Sequence, residues 1–369
     1  MMKKLFSLLL LLAFSAALLA GCSAGGTTPP ADTAETAAPT EPTAPDAGSA
    51  DGAADAAGLP EASEPAEPVD VNILALKGPT AMGMVQFMRE ADAGNLTDNA
   101  YHFSITAVTD EVSVALAQGT ADIAAVPANL ASILYNNTEG GVRVLAINTL
   151  GVLYIVERGD TVQSLADLAG KTLYASGKGT TPEYALNYLL AESGLEGQVT
   201  VEWKSEQAEC LSALMSDEDA IAMLPQPFVT TAQAQDDSIQ VALDLTAEWD
   251  ALQAGSDAPS TLVTGVVVAR TEFAEAHPEV ISAFLDHYAA SVDFVNGNVA
   301  EAAQLVGQSE IVTAEVAEQA LPQCNIVFIE GDEMREKLSG YLSVLLAQNP
   351  QSVGGALPGD DFYYVRQAG

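Results

Sequence analysis

Between residues 70 and 270, short apolar segments alternate with amphipathic ones, and this alternation limits the folds that the chain can adopt. Residues 70–76 and 122–126 have the length and apolar content of buried strands, whereas residues 110–118 carry apolar side chains at helical spacing. Strands that alternate with helices are typical of an α/β fold, in which helices cover both faces of a mainly parallel sheet. Beyond residue 278 the pattern predicts mostly helix.

Four of the predicted strands end in a turn of small residues and prolines that leads directly into a helix. The turns comprise residues 77–80, 127–129, 177–182 and 225–227. Open α/β sheets bind ligands at the carboxyl ends of their strands, where helix N-termini present unpaired N–H groups and glycine allows close approach. Because the turns fall in two successive α/β blocks, we predict that they share one cleft for a small polar solute.

Two of these turns carry recognisable helix-start signals. Thr80 precedes an apolar stripe and is a predicted N-cap for a helix over residues 80–90. Thr180 and Glu183 have the spacing of a capping box, with Pro182 in the first turn of a helix predicted over residues 180–192.

The N-terminal residues predict export and a lipid anchor. Residues 1–21 contain two lysines followed by an apolar run over residues 5–20, which is typical of a signal peptide and short for a membrane span. The run ends in Leu19, Ala20 and Gly21 before Cys22, which is the lipobox pattern of bacterial lipoproteins. We expect Cys22 to become the lipidated first residue of the mature chain, although a plain secretory signal with a chance cysteine is the alternative.

Residues 22–68 form a low-complexity segment of Ala, Thr, Pro, Gly and Ser with nine acidic residues and no lysine or arginine. Such a segment cannot bury enough apolar surface to offset its backbone entropy, so we interpret it as an extended, disordered linker. The remaining residues, 69–369, are near the upper size of a single hydrophobic core, which favours two lobes.

The formal net charge of the 369-residue chain is −37. A surface of this sign repels nucleic acid and anionic lipid headgroups, so we expect no nucleic-acid partner and membrane contact through the lipid anchor only. Cys210 and Cys324 are far apart in sequence. We expect both to be small buried residues, with a single disulfide as the alternative.

Signals for catalysis, metals and cofactors are weak. The three histidines have no metal-binding spacing, and residues 177–180 lack the upstream glycine and the following Ser or Thr of a phosphate loop. We therefore expect no catalytic residue, no metal and no cofactor. Lys77 and Lys178 flank two of the turns, where they either attract an acidic solute group or serve surface solubility. Tyr154 and Phe228 could stack on a flat solute or belong to the core.

The chain resembles the solute-binding lipoproteins of ABC importers, which have the type II periplasmic-binding fold. Three segments carry the resemblance in addition to the lipobox and the acidic linker. They are residues 164–172 (SLADLAGKT), residues 119–124 (GTADIA) and residues 269–279, which contain the Arg270–Phe273 and His277–Glu279 sequences. The nearest branch binds nitrate, sulfonates and thiamine-pyrimidine precursors.

The resemblance implies two lobes joined by two hinge strands, with residues 69–151 and 261–369 in lobe one and residues 152–260 in lobe two. The family's ligand loops map onto twelve positions of this chain. These predicted ligand-binding residues are Lys77, Gly78, Pro79, Thr80, Ala128, Asn129, Asn148, Thr149, Gly179, Thr180, Thr181 and Gln226.

The resemblance also implies a function. The protein would be a monomer on the extracytoplasmic face of the cell membrane that delivers a small-molecule solute to an ABC permease and its ATPase. Two alternatives stay open at this point. One is an enzyme on the same fold that acts on a pyrimidine or menaquinone-type precursor, although the cysteine-rich motif of the pyrimidine-synthesising relatives is absent. The other is a surface sensor without transport.

Overall fold

The structure, a computed structural model, describes residues 68–256 and 260–366. The predicted signal peptide, Cys22 and the linker up to residue 67 lie outside the described residues. Within the described part, the strands are β1 (Asp70–Leu76), β2 (Ala100–Thr106), β3 (Ile123–Pro127), β4 (Val142–Leu150), β5 (Leu153–Arg158), β6 (Thr172–Ser176), β7 (Thr200–Lys204), β8 (Ile221–Pro225), β9 (Ile239–Asp244), β10 (Val263–Arg270) and β11 (Ile326–Ile329).

Helices follow most of these strands, and none of those described is long and apolar enough to cross a membrane. The α-helices are α1 (Pro79–Met82), α2 (Val85–Asp92), α3 (Thr109–Gln118), α4 (Ala128–Asn137), α5 (Thr181–Glu192), α6 (Gln207–Ser216), α7 (Phe228–Gln235), α8 (Leu245–Gln253), α9 (Thr271–Ala276), α10 (Pro278–Gly297), α11 (Val299–Gln308), α12 (Ala314–Ala320) and α13 (Gly331–Gln348). Short 3₁₀-helices span Leu165–Leu168, Leu321–Gln323, Pro350–Val353 and Asp360–Phe362.

The strands form two sheets, which confirms the predicted α/β class. Sheet A has the order β11-β4-β10-β3-β1-β2, and sheet B has the order β7-β6-β8-β5-β9. In sheet A, β1 pairs in parallel with β2 and β3, whereas β10 lies between β3 and β4 and is antiparallel to both. In sheet B, β5 is antiparallel to both of its neighbours. Both sheets are therefore mixed rather than mainly parallel in their pairing.

The prediction of one continuous helix over residues 80–90 is wrong, because the helix begins one residue earlier and is interrupted. Helix α1 begins at Pro79, and Gly78 occupies the N-cap position with φ 132°, a conformation that glycine tolerates better than other residues. The Thr80 hydroxyl lies inside the helix and donates to the Leu76 carbonyl at 2.7 Å, so Thr80 is not the cap. The helix is interrupted at Gly83 and Met84 before α2 begins.

The predicted capping box at the start of α5 is also wrong in its bonding. Thr180 does occupy the N-cap position, but its hydroxyl donates to the Gly177 carbonyl at 2.7 Å. The Glu183 carboxylate accepts from the Gly179 N–H at 2.6 Å rather than from the N–H of Thr180. Both side chains therefore stabilise the loop before the helix.

Three elements were not predicted: α8, α9 and β11. Helix α8 buries Trp249, whose indole N–H donates to the Ser260 carbonyl and hydroxyl, both at 3.1 Å. Strand β11 is only four residues long and pairs with β4 at the edge of sheet A. Its pairing partner lies far away in sequence, so local patterns do not reveal it.

One hydrophobic cluster is continuous from sheet A to sheet B. It includes Ile147 of β4, Ile155 of β5, Leu189 of α5 and Tyr341 of α13, all fully buried. Burial of apolar surface is the main favourable term in folding, so this cluster couples the stability of the two sheets. Helix α13 contacts α4, β4 and β10 as well as α5, so it packs against elements associated with both sheets.

Asn129 of α4 connects the start of α5 and the loop before it to the 3₁₀-helix at Pro350–Val353 through hydrogen bonds. Its amide nitrogen donates to the Ser352 carbonyl at 3.2 Å and to the Gly179 carbonyl at 3.5 Å. Its amide oxygen accepts from the Thr181 hydroxyl at 3.4 Å. The side chain is completely buried, so water cannot replace these bonds.

Cys210 and Cys324 are both free and buried, which excludes the alternative of a disulfide between them in this structure. Burial raises the pKa of the Cys210 thiol to about 11 and that of Cys324 to about 12. The thiolate is the reactive form of cysteine, so both residues behave as small apolar side chains.

We predict that Asn129→Ala lowers the free energy of unfolding by about 2 kcal/mol, because it leaves the buried Thr181 hydroxyl and Ser352 carbonyl without a partner. Urea unfolding followed by circular dichroism measures the change. Asn137→Ala is the control, since Asn137 is exposed at the end of the same helix, and we expect a change within about 0.5 kcal/mol. Equal effects of the two substitutions would show that the buried connection contributes nothing.

Candidate functional site

A cleft of about 220 Å³ lies where the turns after strands of both sheets meet. Sheet A contributes the β1–α1 turn, Pro127 and Thr149, together with Thr264 of β10. Sheet B contributes residues of the β6–α5 and β8–α7 turns and the start of α6. The cleft is smaller than the 300–1,000 Å³ typical of sites for drug-sized ligands, so it suits a small solute.

Eight of the twelve predicted ligand-binding residues line this cleft. They are Lys77, Gly78, Pro79, Thr80, Thr149, Thr180, Thr181 and Gln226. These residues come from four separate turns and strand ends, and the fold brings them together from positions up to about 150 residues apart. Their role in binding stays a prediction.

The other four predicted residues do not line the cleft: Ala128, Asn129, Asn148 and Gly179. Ala128, Asn129 and Asn148 are completely buried, whereas Gly179 is exposed on the loop before α5. Asn129 and Asn148 are hydrogen-bonded to residues that do line the cleft, and their predicted contact with a ligand stays a prediction.

Asn148 stabilises the lining through hydrogen bonds to two residues that border the cleft. Its amide nitrogen donates to the Thr80 carbonyl at 3.4 Å, and its amide oxygen accepts from the Thr149 hydroxyl at 3.1 Å. This arrangement requires a glycine at position 265, because a Cβ there would lie 2.5 Å from Asn148 Oδ1 and 2.7 Å from Thr80 Cγ2. The bare backbone of Gly265 thus allows the β1–α1 turn to pack directly against β10.

Gln226 lines the cleft but its hydrogen-bonding groups are engaged within the protein. Its amide nitrogen donates to Gln323 Oε1 at 2.9 Å, and its amide oxygen accepts from the Thr230 hydroxyl at 2.9 Å. The Gln323 carbonyl in turn accepts from the Tyr154 hydroxyl at 3.2 Å. Burial raises the pKa of Tyr154 to about 12, so this hydroxyl stays protonated and acts as a donor at neutral pH. Tyr154 therefore acts as a link and does not line the cleft.

Lys77 carries the only ionisable side chain among the described residues that line the cleft. Its ammonium group is exposed and has no hydrogen bond or ion pair with another described residue. Lys178 is also exposed and has no hydrogen bond or ion pair within the described part of the chain, but it does not belong to the lining. A chain with net charge −37 thus keeps acidic side chains out of the described lining and places one lysine there.

Prolines limit the main-chain donors that the helix starts can offer to a solute. Five prolines line the cleft, and proline has no N–H. In α1, the Ala81 and Met82 N–H groups both donate to the Gly78 carbonyl, at 3.0 Å each. Hydroxyl and amide side chains therefore supply much of the polar character of the cleft.

Several lining residues were not predicted as ligand contacts, among them Gln207, Thr264 and Phe228. Phe228 begins α7, and the sequence left open whether it stacks on a solute or belongs to the core. Gln207 begins α6 after the exposed residues Ser205 and Glu206, so only the repeated strand–turn–helix pattern could have indicated it. Thr264 lies on β10, whose antiparallel insertion into sheet A is not visible in the sequence.

Within residues 68–256 and 260–366, no group of three or more histidine, cysteine or acidic residues is arranged to hold a metal ion.

Solved structures with a similar fold were identified by structural comparison. An ABC transporter from Parabacteroides distasonis matches at TM-score 0.66 and 21% identity, covering 82% of this chain and 100% of the other. The periplasmic aliphatic sulphonate binding protein SsuA from Escherichia coli matches at TM-score 0.64 and 14% identity, covering 81% and 93%. A Candida albicans protein with the generic periplasmic binding protein fold matches at TM-score 0.51 and 14% identity, covering 79% and 92%.

At these identities the structural matches show the fold alone, and that fold is the periplasmic binding protein fold. No curated protein sequence matches the chain significantly. The model of the NMT1/THI5-like family matches residues 105–302, which is more than half of the chain and includes strands of both sheets. The protein described here therefore belongs to the NMT1/THI5-like family.

Proposed function

We propose that this protein is a lipid-anchored solute-binding protein that captures a small polar solute in the cleft and delivers it to an ABC importer. The main support for this proposal is that turns from both sheets converge on one small cleft. Two structural relatives, an ABC transporter and a sulphonate-binding protein, support the same role.

The composition of the lining favours an acidic or neutral solute over a cationic one. Lys77 can pair with an acidic group, whereas no described lining residue offers a carboxylate to a positive charge. Removal of a cation from water without a counterion is costly, so a cationic solute would bind poorly.

Capture requires two bodies that close on the solute. We propose residues 69–151 and 261–369 as lobe one and residues 152–260 as lobe two, because sheets A and B divide between these ranges. The chain passes between them at Gly151, between β4 and β5, and in the segment before β10. A solute that contacts both lobes favours the closed arrangement, which the importer could then distinguish from the open one.

The first prediction concerns binding itself. We expect a cognate solute to raise the melting temperature, because a ligand that binds only the native state at 100 times its Kd stabilises it by about 2.7 kcal/mol. Differential scanning fluorimetry with sulfonates, pyrimidines, small amines and amino acids measures the shift. Mass spectrometry should recover the solute unchanged. A panel without any shift would contradict a receptor role, and recovery of a converted product would indicate an enzyme.

The second prediction uses the two unpaired lysines as a matched pair. For an acidic solute, we expect Lys77→Ala to weaken binding about tenfold, because it removes the only ionisable group of the described lining. Lys178→Ala should leave the affinity unchanged, since Lys178 lies outside the lining. Isothermal titration calorimetry at low and high salt measures both variants. Equal losses in the two variants would indicate a general electrostatic effect instead of a contact.

The third prediction tests the anchor. We expect Cys22→Ser to release the protein from the membrane fraction of a bacterial host, because serine cannot carry the thioether-linked lipid. Fractionation and metabolic labelling with palmitate measure the attachment. Cys210→Ser, which changes a buried cysteine, is the control and should stay membrane-bound. Membrane retention of the Cys22→Ser protein would show that another segment holds it.

A further inference from the structure

Two residues that line the cleft differ from its other polar residues. Gln207 Oε1 and Thr264 Oγ1 are buried atoms without a hydrogen-bond partner among the described residues. Gln207 is the first residue of α6 and belongs with sheet B, whereas Thr264 lies on β10 of sheet A. The two unpaired groups therefore come from opposite sides of the cleft.

The remaining uncharged polar side chains of the described lining all have partners within the protein. Thr80 donates to the Leu76 carbonyl, Thr149 to Asn148, Thr180 to the Gly177 carbonyl, and Thr181 to Asn129. Gln226 is bonded at both ends of its amide, as described above. These residues shape the cleft, and the hydroxyl donors of the threonines and both ends of the Gln226 amide are already bonded within the protein.

An unpaired polar atom in the interior destabilises a protein, and most buried polar groups are paired for this reason. A buried polar group that borders a cleft and lacks a partner within the protein can gain that partner from a bound ligand. Both residues border the cavity, so a change of rotamer or a displacement of neighbouring side chains brings their polar atoms to a solute.

We propose that Gln207 and Thr264 recognise an uncharged hydrogen-bonding group of the solute, such as a hydroxyl or an amide. The amide and the threonine hydroxyl can each donate and accept, and a hydroxyl or amide on the solute matches both capacities. This inference rests on the proposed function and narrows its solute class. The preferred solute carries an uncharged polar group, carries no positive charge, and can carry an acidic group near Lys77.

Loss of either unpaired group should change the stability of the free protein even without a solute. Thr264→Val and Gln207→Met replace an unpaired polar group by an apolar one of similar shape, so each should raise the melting temperature by about 1–3 °C. Thr149→Val should lower the melting temperature, because the Thr149 hydroxyl is bonded to Asn148. A decrease for Thr264→Val and Gln207→Met, as for Thr149→Val, would show that both groups are satisfied in the free protein and would overturn the inference.

The same variants are then tested with two matched series of probes, measured by isothermal titration calorimetry. The first series is propanesulfonate, 2-hydroxyethanesulfonate and 2-aminoethanesulfonate. The second is butanoate, 3-hydroxypropanoate and 3-aminopropanoate. Within each series only the terminal group changes, from methyl to hydroxyl to ammonium. We expect the hydroxyl member of at least one series to bind most tightly, and both Thr264→Val and Gln207→Met to weaken it by at least about tenfold.

Thr246→Val is the control for a general effect of removing an unpaired hydroxyl. Thr246 Oγ1 is also buried without a described partner, but Thr246 does not line the cleft. This variant should gain stability and keep its affinity for the probes.

The inference is overturned if the methyl or ammonium members bind more tightly than the hydroxyl members. It is also overturned if Thr264→Val and Gln207→Met keep their affinity. Either result leaves the proposed binding function intact. Failure of all six probes to bind would also overturn the inference. The proposed function fails as well only if the wider solute panel gives no shift in melting temperature.

Discussion

The cleft depends on the position of β10, which runs between β3 and β4 in the opposite direction to both. Its register lays Gly265 beside Pro127 on one side and Thr149 on the other, so residues of the lining that are distant in sequence become neighbours. The absence of a side chain on Gly265 then lets Thr80 and Asn148 pack against its backbone. The return of the chain to sheet A through β10 is thus what assembles one wall of the cleft.

The turns that follow strands of sheet B form the other wall of the cleft. Burial of apolar side chains and a few hydrogen bonds hold these turns in place. The hydrophobic cluster that continues from Ile147 through Ile155 to Leu189 and Tyr341 joins the elements of both sheets. Asn129 accepts a hydrogen bond from Thr181, and Gln323 accepts one from Gln226, and both donors line the cleft. Each of these bonds is worth only about 1 kcal/mol, so apolar contact sets the stability and the polar bonds set the geometry.

Local patterns predicted much of the fold because they depend on neighbours in sequence. The strand β1 matches its predicted bounds, residues 109–118 form a helix that Gly119 ends in the left-handed conformation, and Thr180 occupies the predicted N-cap. The predicted turns contributed twelve residues to the lining of the cleft. The bonding at helix starts was wrong, because a threonine hydroxyl at the turn had a competing carbonyl acceptor within a few residues.

The sequence by itself determined the α/β class, the family resemblance and the turns that carry the candidate site, since these follow from residue type and spacing. It also determined the sign of the overall charge. Only the tertiary structure decided which residues of those turns reach the cleft, since the depth of Asn129 and Asn148 depends on packing against distant segments. The same holds for Gln207 and Thr264, whose unpaired state depends on every surrounding group at once. Hydrogen-bond satisfaction is a property of three-dimensional surroundings, and no spacing along the chain encodes it.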